Sequence, residues 1–235
     1  MVRGLAVETS GRVGSIAIVE DGKVLSEDTF SHGLQHAAQI ICRIDALIKA
    51  QQWQPRDLQE LYLSIGPGSF TGLRIGVTLV KTLAFVTGAR IAAVPTLDVL
   101  ARNAPPEARY VIVVLDAKRE QIFTARYSRE EPTGPWVISE PPYLDRLDAM
   151  LSRSPRPVHL IGEGIPYHRQ FMGEDPQVIV TDAELWRARA SVVAELGAAM
   201  LQEGAATDPQ KLAPLYIRKP EAEEKWEQQQ SARNR

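Results

Sequence analysis

Residues 72–87 read GLRIGVTLVKTLAFVT, a helix-length run whose apolar side chains point almost all the way round a helical wheel. Leu73, Ile75, Val77, Leu79, Val80, Leu83, Ala84 and Val86 leave only a narrow polar edge at Arg74, Thr78, Lys81 and Thr82. Such a helix must be covered on nearly every side. A sheet can cover one side, so the sequence demands a second cover. Arg74 and Lys81 break the run and argue against a membrane span. Gly88 stands where a residue with positive φ would end the helix.

The helix follows SIGPGSF (64–70), a glycine-rich junction after the apolar strand candidate LYLSI (61–65). A phosphate loop of the G-x-x-x-x-G-K-[ST] type does not fit, and the dinucleotide pattern G-x-G-x-x-G fails because Thr71 occupies the third glycine position. No Asp or Glu lies between Leu61 and Leu97 to hold a ribose. A strand–turn–helix junction still gathers backbone N–H groups, so Gly66, Gly68, Ser69 and Thr71 are candidate anion or nucleotide contacts. The competing reading makes Gly66 and Gly68 a tight turn, and Gly72 and Gly76 points of close backbone approach.

Around this core the pattern predicts strands over 4–7, 13–19 and 23–30, with Asp21-Gly22 as a two-residue hairpin turn. A helix follows over 33–50, apolar at Leu34, Ala37, Ala38, Ile41, Ile44 and Ile48, with Ile40 and Leu47 widening the arc. Strand 90–94 and a helix from Thr96 complete a first unit, residues 1–104. The proline-containing stretch 103–108 leads into a second unit, 105–220. There the pattern predicts strands at 110–117, 120–127, 136–139 and 158–162, with helices over 143–151 and 191–203. Residues 221–235 form a polar tail expected to be disordered.

Composition narrows the function. A formal net charge of −2 leaves no global attraction to nucleic acid or anionic lipid. The one cysteine, Cys42, permits no internal disulfide and no multi-cysteine zinc site. With no signal peptide in MVRGLAVETSG, a cytoplasmic location is expected. His32 and His36 have metal-pair spacing but lack further ligands, and Ser69 does not sit in a G-x-S-x-G elbow. The residues offer no catalytic group and no metal site.

GPGSFTGLRIG (66–76), LAVETSGRVGSIAIVEDG (5–22), DAKREQIFTARY (116–127) and PLYIR (214–218) resemble the TsaB (YeaZ) family across residues 5–218. Glu8 stands where an Asp is usual, and Ala37 where a hydroxyl residue is common. The resemblance implies an α/β, actin-like ATPase (ASKHA) fold with two lobes, each a mixed sheet flanked by helices. It also implies a non-catalytic subunit of the tRNA N6-threonylcarbamoyladenosine transferase complex, which binds and activates the catalytic subunit TsaD. The ATPase TsaE is a further partner, tRNA is reached only through the complex, and the isolated chain forms a homodimer. ATP and a metal ion are expected on TsaD rather than tightly bound here. The histidine pair of TsaD falls on Thr96 and Leu100, which cannot replace imidazole ligands.

On this reading the surplus apolar faces of the two helices are the partner interface. It comprises Leu34, Ala37, Ile41, Ile44 and Ile48 with Gly72, Leu73, Gly76, Val80 and Leu83, and Arg74 and Lys81 set its register. Two alternatives remain: an actin-like ATP-dependent kinase or transferase using the Gly66–Gly72 loop for phosphate, and direct tRNA binding by the tail through Arg233 and Arg235.

Overall fold

The computed structural model describes residues 1–31, 36–132 and 134–218, with side chains of the first helix described from Gln39 onward. Leu34, His32, the side chains of His36 and Ala37, and the tail with Arg233 and Arg235 lie outside the described residues.

The chain opens with an antiparallel meander, β1 (Arg3–Glu8), β2 (Val13–Glu20) and β3 (Lys23–Ser31). Asp21 and Gly22, both at positive φ, turn β2 into β3 as their sequence requires. Helix α1 (His36–Ala50) leads to β4 (Glu60–Ser64), and α2 (Phe70–Thr87) leads to β5 (Arg90–Val94). Both strands lie parallel to β1, so the sheet order is β3-β2-β1-β4-β5. Helix α3 (Thr96–Arg102) leaves this unit.

The second half repeats the scheme. β6 (Tyr110–Asp116), β7 (Ile122–Ser128) and β8 (Val137–Asp145) form the meander. α4 (Leu147–Ser152), β9 (Val158–Ile161), α5 (Ile165–His168) and β10 (Val178–Val180) follow, then α6 (Ala190–Gln202). The order β8-β7-β6-β9-β10 is that of the first sheet, with β9 parallel to β6 and β10 parallel to β9. Two mixed sheets of one topology, flanked by helices, are the actin-like arrangement expected from the resemblance.

Several boundaries differ from the sequence reading. The helix expected over 143–151 starts only at Leu147, because β8 runs through Pro141 and Pro142 to Asp145. An edge strand tolerates prolines that a central strand would not. The β6–β7 connection is also longer than two residues. Lys118, Arg119 and Glu120 all take positive φ, and Ala117 and Gln121 close the turn through Ala117 N–H donating to Gln121 O at 2.9 Å. β10 and α5 were not anticipated, being too short to show a period.

The core is layered. α1 and α2 cover one face of the first sheet, through Ile40, Ile44, Ile48, Val77, Val80 and Ala84 against Leu5, Val7, Ile16, Leu61 and Leu63. α3 and α6 fill the space between the sheets, joining Ala6, Ala17 and Tyr62 to Val111, Val113 and Ala125. α4 and α5 cover the outer face of the second sheet through Leu147, Met150, Leu151 and Ile165. The expected division at residue 104 is therefore crossed. α6 comes from the second half of the chain, yet it packs on β1, β2, β4 and β5. The chain beyond it also returns to the first sheet, where Thr207 N–H donates to Ile91 O and Leu212 is buried among the first-lobe residues.

Candidate functional site

The glycine junction is tied down by its own hydrogen bonds. Gly66 N–H donates to Thr96 Oγ1 at 3.0 Å, and Thr96 N–H returns a bond to Gly66 O at 2.8 Å. Ser69 N–H donates to Ser10 O at 2.7 Å, and the Ser69 hydroxyl caps α2 by accepting from Gly72 N–H at 3.3 Å. A Cβ on Gly68 would lie 2.4 Å from Ser10 O, and one on Gly76 would lie 2.5 Å from Thr9 Oγ1. The junction is a close-packed seam between the start of α2 and the β1–β2 turn. The N–H groups of Gly66 and Ser69 are already spent within the chain. Thr71 is exposed on the other side of the helix and lines a different surface.

Between the two lobes lies a cleft of about 490 Å³. Ser10, Gly11 and Arg12 from the β1–β2 turn face Asp116, Ala117 and Lys118 from the equivalent turn of the second sheet. Gly68, Ser69 and Phe70 form its floor with Thr96 and Leu100. Arg12 N–H donates to Glu163 Oε2 at 3.1 Å, tying the lobes across the opening. Burial alone would raise the Asp116 carboxyl, but hydrogen bonds from Lys118 and His168 outweigh it and hold it below its usual value. Glu8, aligned with the usual Asp of the family, does not line the cleft. It is fully buried, and its Oε1 accepts from Ser10 N–H and Ser10 Oγ at 2.5 and 2.6 Å. Burial raises its carboxyl above the ordinary range, with the Ser10 bonds opposing. Thr96 Oγ1 is likewise occupied, 2.8 Å from Ser64 Oγ.

The second surface is a groove of about 550 Å³ between α1 and α2. Ile40, Ile41, Phe70, Thr71, Arg74, Ile75, Thr78, Leu79 and Thr82 line it. Ile41 is 63% exposed, and beyond the groove, near the C-terminal end of α2, Phe85 and Val86 stand 91% and 72% exposed. This corrects the expected interface. Ile44, Ile48, Leu73 and Val80 are at most 5% exposed, and Gly72 and Gly76 are buried too, because these residues form the stripe that faces the sheet. Leu83 is half-buried against the same cluster. Only Ile41 and Arg74 of the expected set reach the groove among the described residues.

Arg74 and Lys81, expected to set the register of the partner interface, also hold the chain's own C-terminal segment. Lys81 Nζ donates to Leu212 O at 3.2 Å, and Arg74 Nε donates to Tyr216 Oη at 3.1 Å while its guanidinium stacks 3.8 Å above the Phe70 ring. This segment supplies the second cover that the sequence demanded for one flank of α2. The sequence reading missed Phe70, Ile75, Thr78 and Leu79. The seam at Gly76 would have found two of them: once Gly76 faces Thr9 and the sheet, Ile75 and Thr78 fall on the outer face.

By length and composition α2 is, among the described residues, the one helix able to cross a bilayer. Leu73, Val77, Val80 and Ala84 are buried on the sheet, so part of that apolarity is core packing, with 33% of the span buried.

Comparison with known proteins gives a consistent result. A family model described as "TsaD: tRNA N6-adenosine threonylcarbamoyltransferase" matches residues 24–226. The chain is 31% identical over 226 residues to the Bacillus subtilis (strain 168) "tRNA threonylcarbamoyladenosine biosynthesis protein TsaB", covering 94% of this chain and 96% of that protein. It is 25% identical over 224 residues to the Escherichia coli (strain K12) protein of the same name, covering 92% and 95%. Among solved structures, YeaZ from Pseudomonas aeruginosa superposes with a TM-score of 0.77 at 23% identity, covering 92% of this chain and all of that one.

Proposed function

Since the chain belongs to the TsaB (YeaZ) family and so has a role in tRNA threonylcarbamoyladenosine biosynthesis, we propose that it acts there as a non-catalytic subunit, docking through the α1/α2 groove onto the catalytic subunit TsaD and activating it. The observation that carries this reading is the groove itself, an apolar surface that continues toward the exposed Phe85 and Val86. Leaving Ile, Leu and Phe side chains in water is unfavourable by about 25 cal/mol per Å² of apolar surface. A second helix pair laid across the groove would remove that cost, and a stable interface of this kind buries on the order of 1,200–2,000 Å² in total. The same surface would pair two copies when the catalytic subunit is absent. On this reading ATP and the metal ion reside on TsaD, TsaE joins the assembly, tRNA is met through the complex, and the work is done in the cytoplasm.

The test places a charge where the structure shows exposed apolar surface. Ile41→Glu is expected to abolish co-elution with TsaD in size-exclusion chromatography while circular dichroism stays unchanged. A complex that survives this variant and Ile75→Glu would remove the groove from the interface. The rival kinase reading uses the Gly66–Gly72 loop for phosphate, and Gly68, Ser69 and Phe70 of that loop line the interlobe cleft. It requires tight Mg-ATP binding by the isolated chain, which titration calorimetry measures.

A further inference from the structure

Three sequence segments, GPGSFTGLRIG, DAKREQ and PLYIR, converge at one place in the fold. Phe70 lies at the junction of the two cavities, lining both the interlobe cleft and the α1/α2 groove. Its ring packs on Tyr216 with centroids 5.3 Å apart, and Arg74 covers it from the groove side while bonding Tyr216 Oη. One residue earlier, Leu215 N–H donates to Ile65 O at 2.7 Å, which fixes the segment to the end of β4. Two residues later, Arg218 crosses to the other lobe, where its guanidinium donates to Ala117 O and to the Gln121 side chain. Those two residues bracket Lys118, Arg119 and Glu120, three successive non-glycine residues at φ 63°, 54° and 59°. Left-handed backbone at such residues is intrinsically unfavourable, so the turn depends on the contacts that hold it. Asp116, Ala117 and Lys118 of this turn form one wall of the cleft.

From this we propose that residues 214–218 couple occupancy of the α1/α2 groove to the conformation of the β6–β7 turn, and through it to the shape of the interlobe cleft. The proposal rests on the groove being the docking surface. A partner pressing on Phe70 and Arg74 would fix Tyr216, and a fixed Tyr216 leaves Arg218 little freedom two residues on. The turn would then be held more firmly in its left-handed conformation. The coupling would run through a contiguous set of contacts between the two sites and act on a turn whose left-handed backbone those contacts hold.

Hydrogen–deuterium exchange of the full-length chain, alone and saturated with TsaD, tests this. In the unmodified protein, complex formation is expected to slow amide exchange at residues 117–121 by roughly tenfold. Arg218→Met keeps the apolar stem and loses the guanidinium. It should still form the complex, exchange faster at 117–121 when alone, and show no slowing on binding. Tyr216→Phe keeps the ring stack and loses the bond from Arg74, and should show an intermediate response. A complex that forms normally without any slowing, or slowing that persists in Arg218→Met, overturns the coupling and leaves the docking surface standing. If the Ile41→Glu and Ile75→Glu variants still bind TsaD, the docking surface itself is wrong and the coupling falls with it.

Discussion

At Gly68 a backbone carbonyl occupies the space a side chain would need, so even a methyl group forces the β1–β2 turn away from α2. Gly68→Ala is expected to cost about 1–3 kcal/mol, a typical overpacking penalty, read as a lower urea midpoint with an unchanged slope. Glu8 makes a prediction about pH. Its carboxyl ionises near 4.5 when unburied and at higher pH in the fold, because burial disfavours the charge. The unfolded chain therefore loses this proton first. The stability Glu8 contributes is complete below the unfolded value, declines as pH rises toward the folded value, and levels off beyond it. Glu8→Gln removes the titration. The difference in urea midpoint between the two proteins should shift in favour of the variant as pH rises from 4.5 toward neutrality. A constant difference across that range would show that Glu8 ionises normally.

At the scale of elements, α2 is two helices in one. Its inner stripe, Leu73, Val77, Val80 and Ala84, is buried against the sheet, and its outer face carries Phe70, Arg74, Thr78 and Phe85. A carboxylate in the inner stripe has no partner to offset its desolvation, so Val80→Glu should cost at least about 4 kcal/mol and prevent stable folding. On the outer face Phe85→Ser should leave the thermal midpoint unchanged, because a side chain 91% exposed contributes little to folding. It should nevertheless weaken self-association of the isolated chain, measured by sedimentation equilibrium. Equal effects of the two variants on stability would contradict the division of the helix. The longer strands, the Asp21-Gly22 turn and the Gly88 stop were legible, because each follows from local backbone chemistry. Which side of α2 faced inward was not, since its apolar residues occur on both.

For the whole molecule, the lobes share material. Ala6, Ala17, Val19 and Tyr62 on the inner face of the first sheet lie in one cluster with Ala190, Val193, Ala194 and Leu201 of α6. Ala190 N–H also donates to Ser15 Oγ at 2.7 Å, and Ser191 N–H to Glu27 Oε1 at 3.1 Å. A fragment ending at residue 104 keeps every strand of the first sheet and α3 but loses α6 from the cover of that face. It should therefore lack a cooperative urea transition, and adding a peptide spanning 188–218 should restore one. A fragment that folds cooperatively alone would show that the first half is an independent domain.

What the sequence determined by itself was local and repetitive: the two meanders, the helices with strong periods, the family resemblance carried by four motifs, and the need of α2 for two covers. Tertiary structure decided what those covers were. The sheet took one side, residues 207–218 took a flank, and a strip between α1 and α2 remained exposed. It also decided that Arg74 and Lys81 hold the chain's own C-terminal segment, and that the glycine junction is a seam with two of its donors already spent. These outcomes depend on contacts between residues distant in sequence, such as Ser69 with Ser10, Lys81 with Leu212 and Arg74 with Tyr216. Side-chain periodicity records which faces are apolar, but the partner of each face is chosen only when the chain closes on itself.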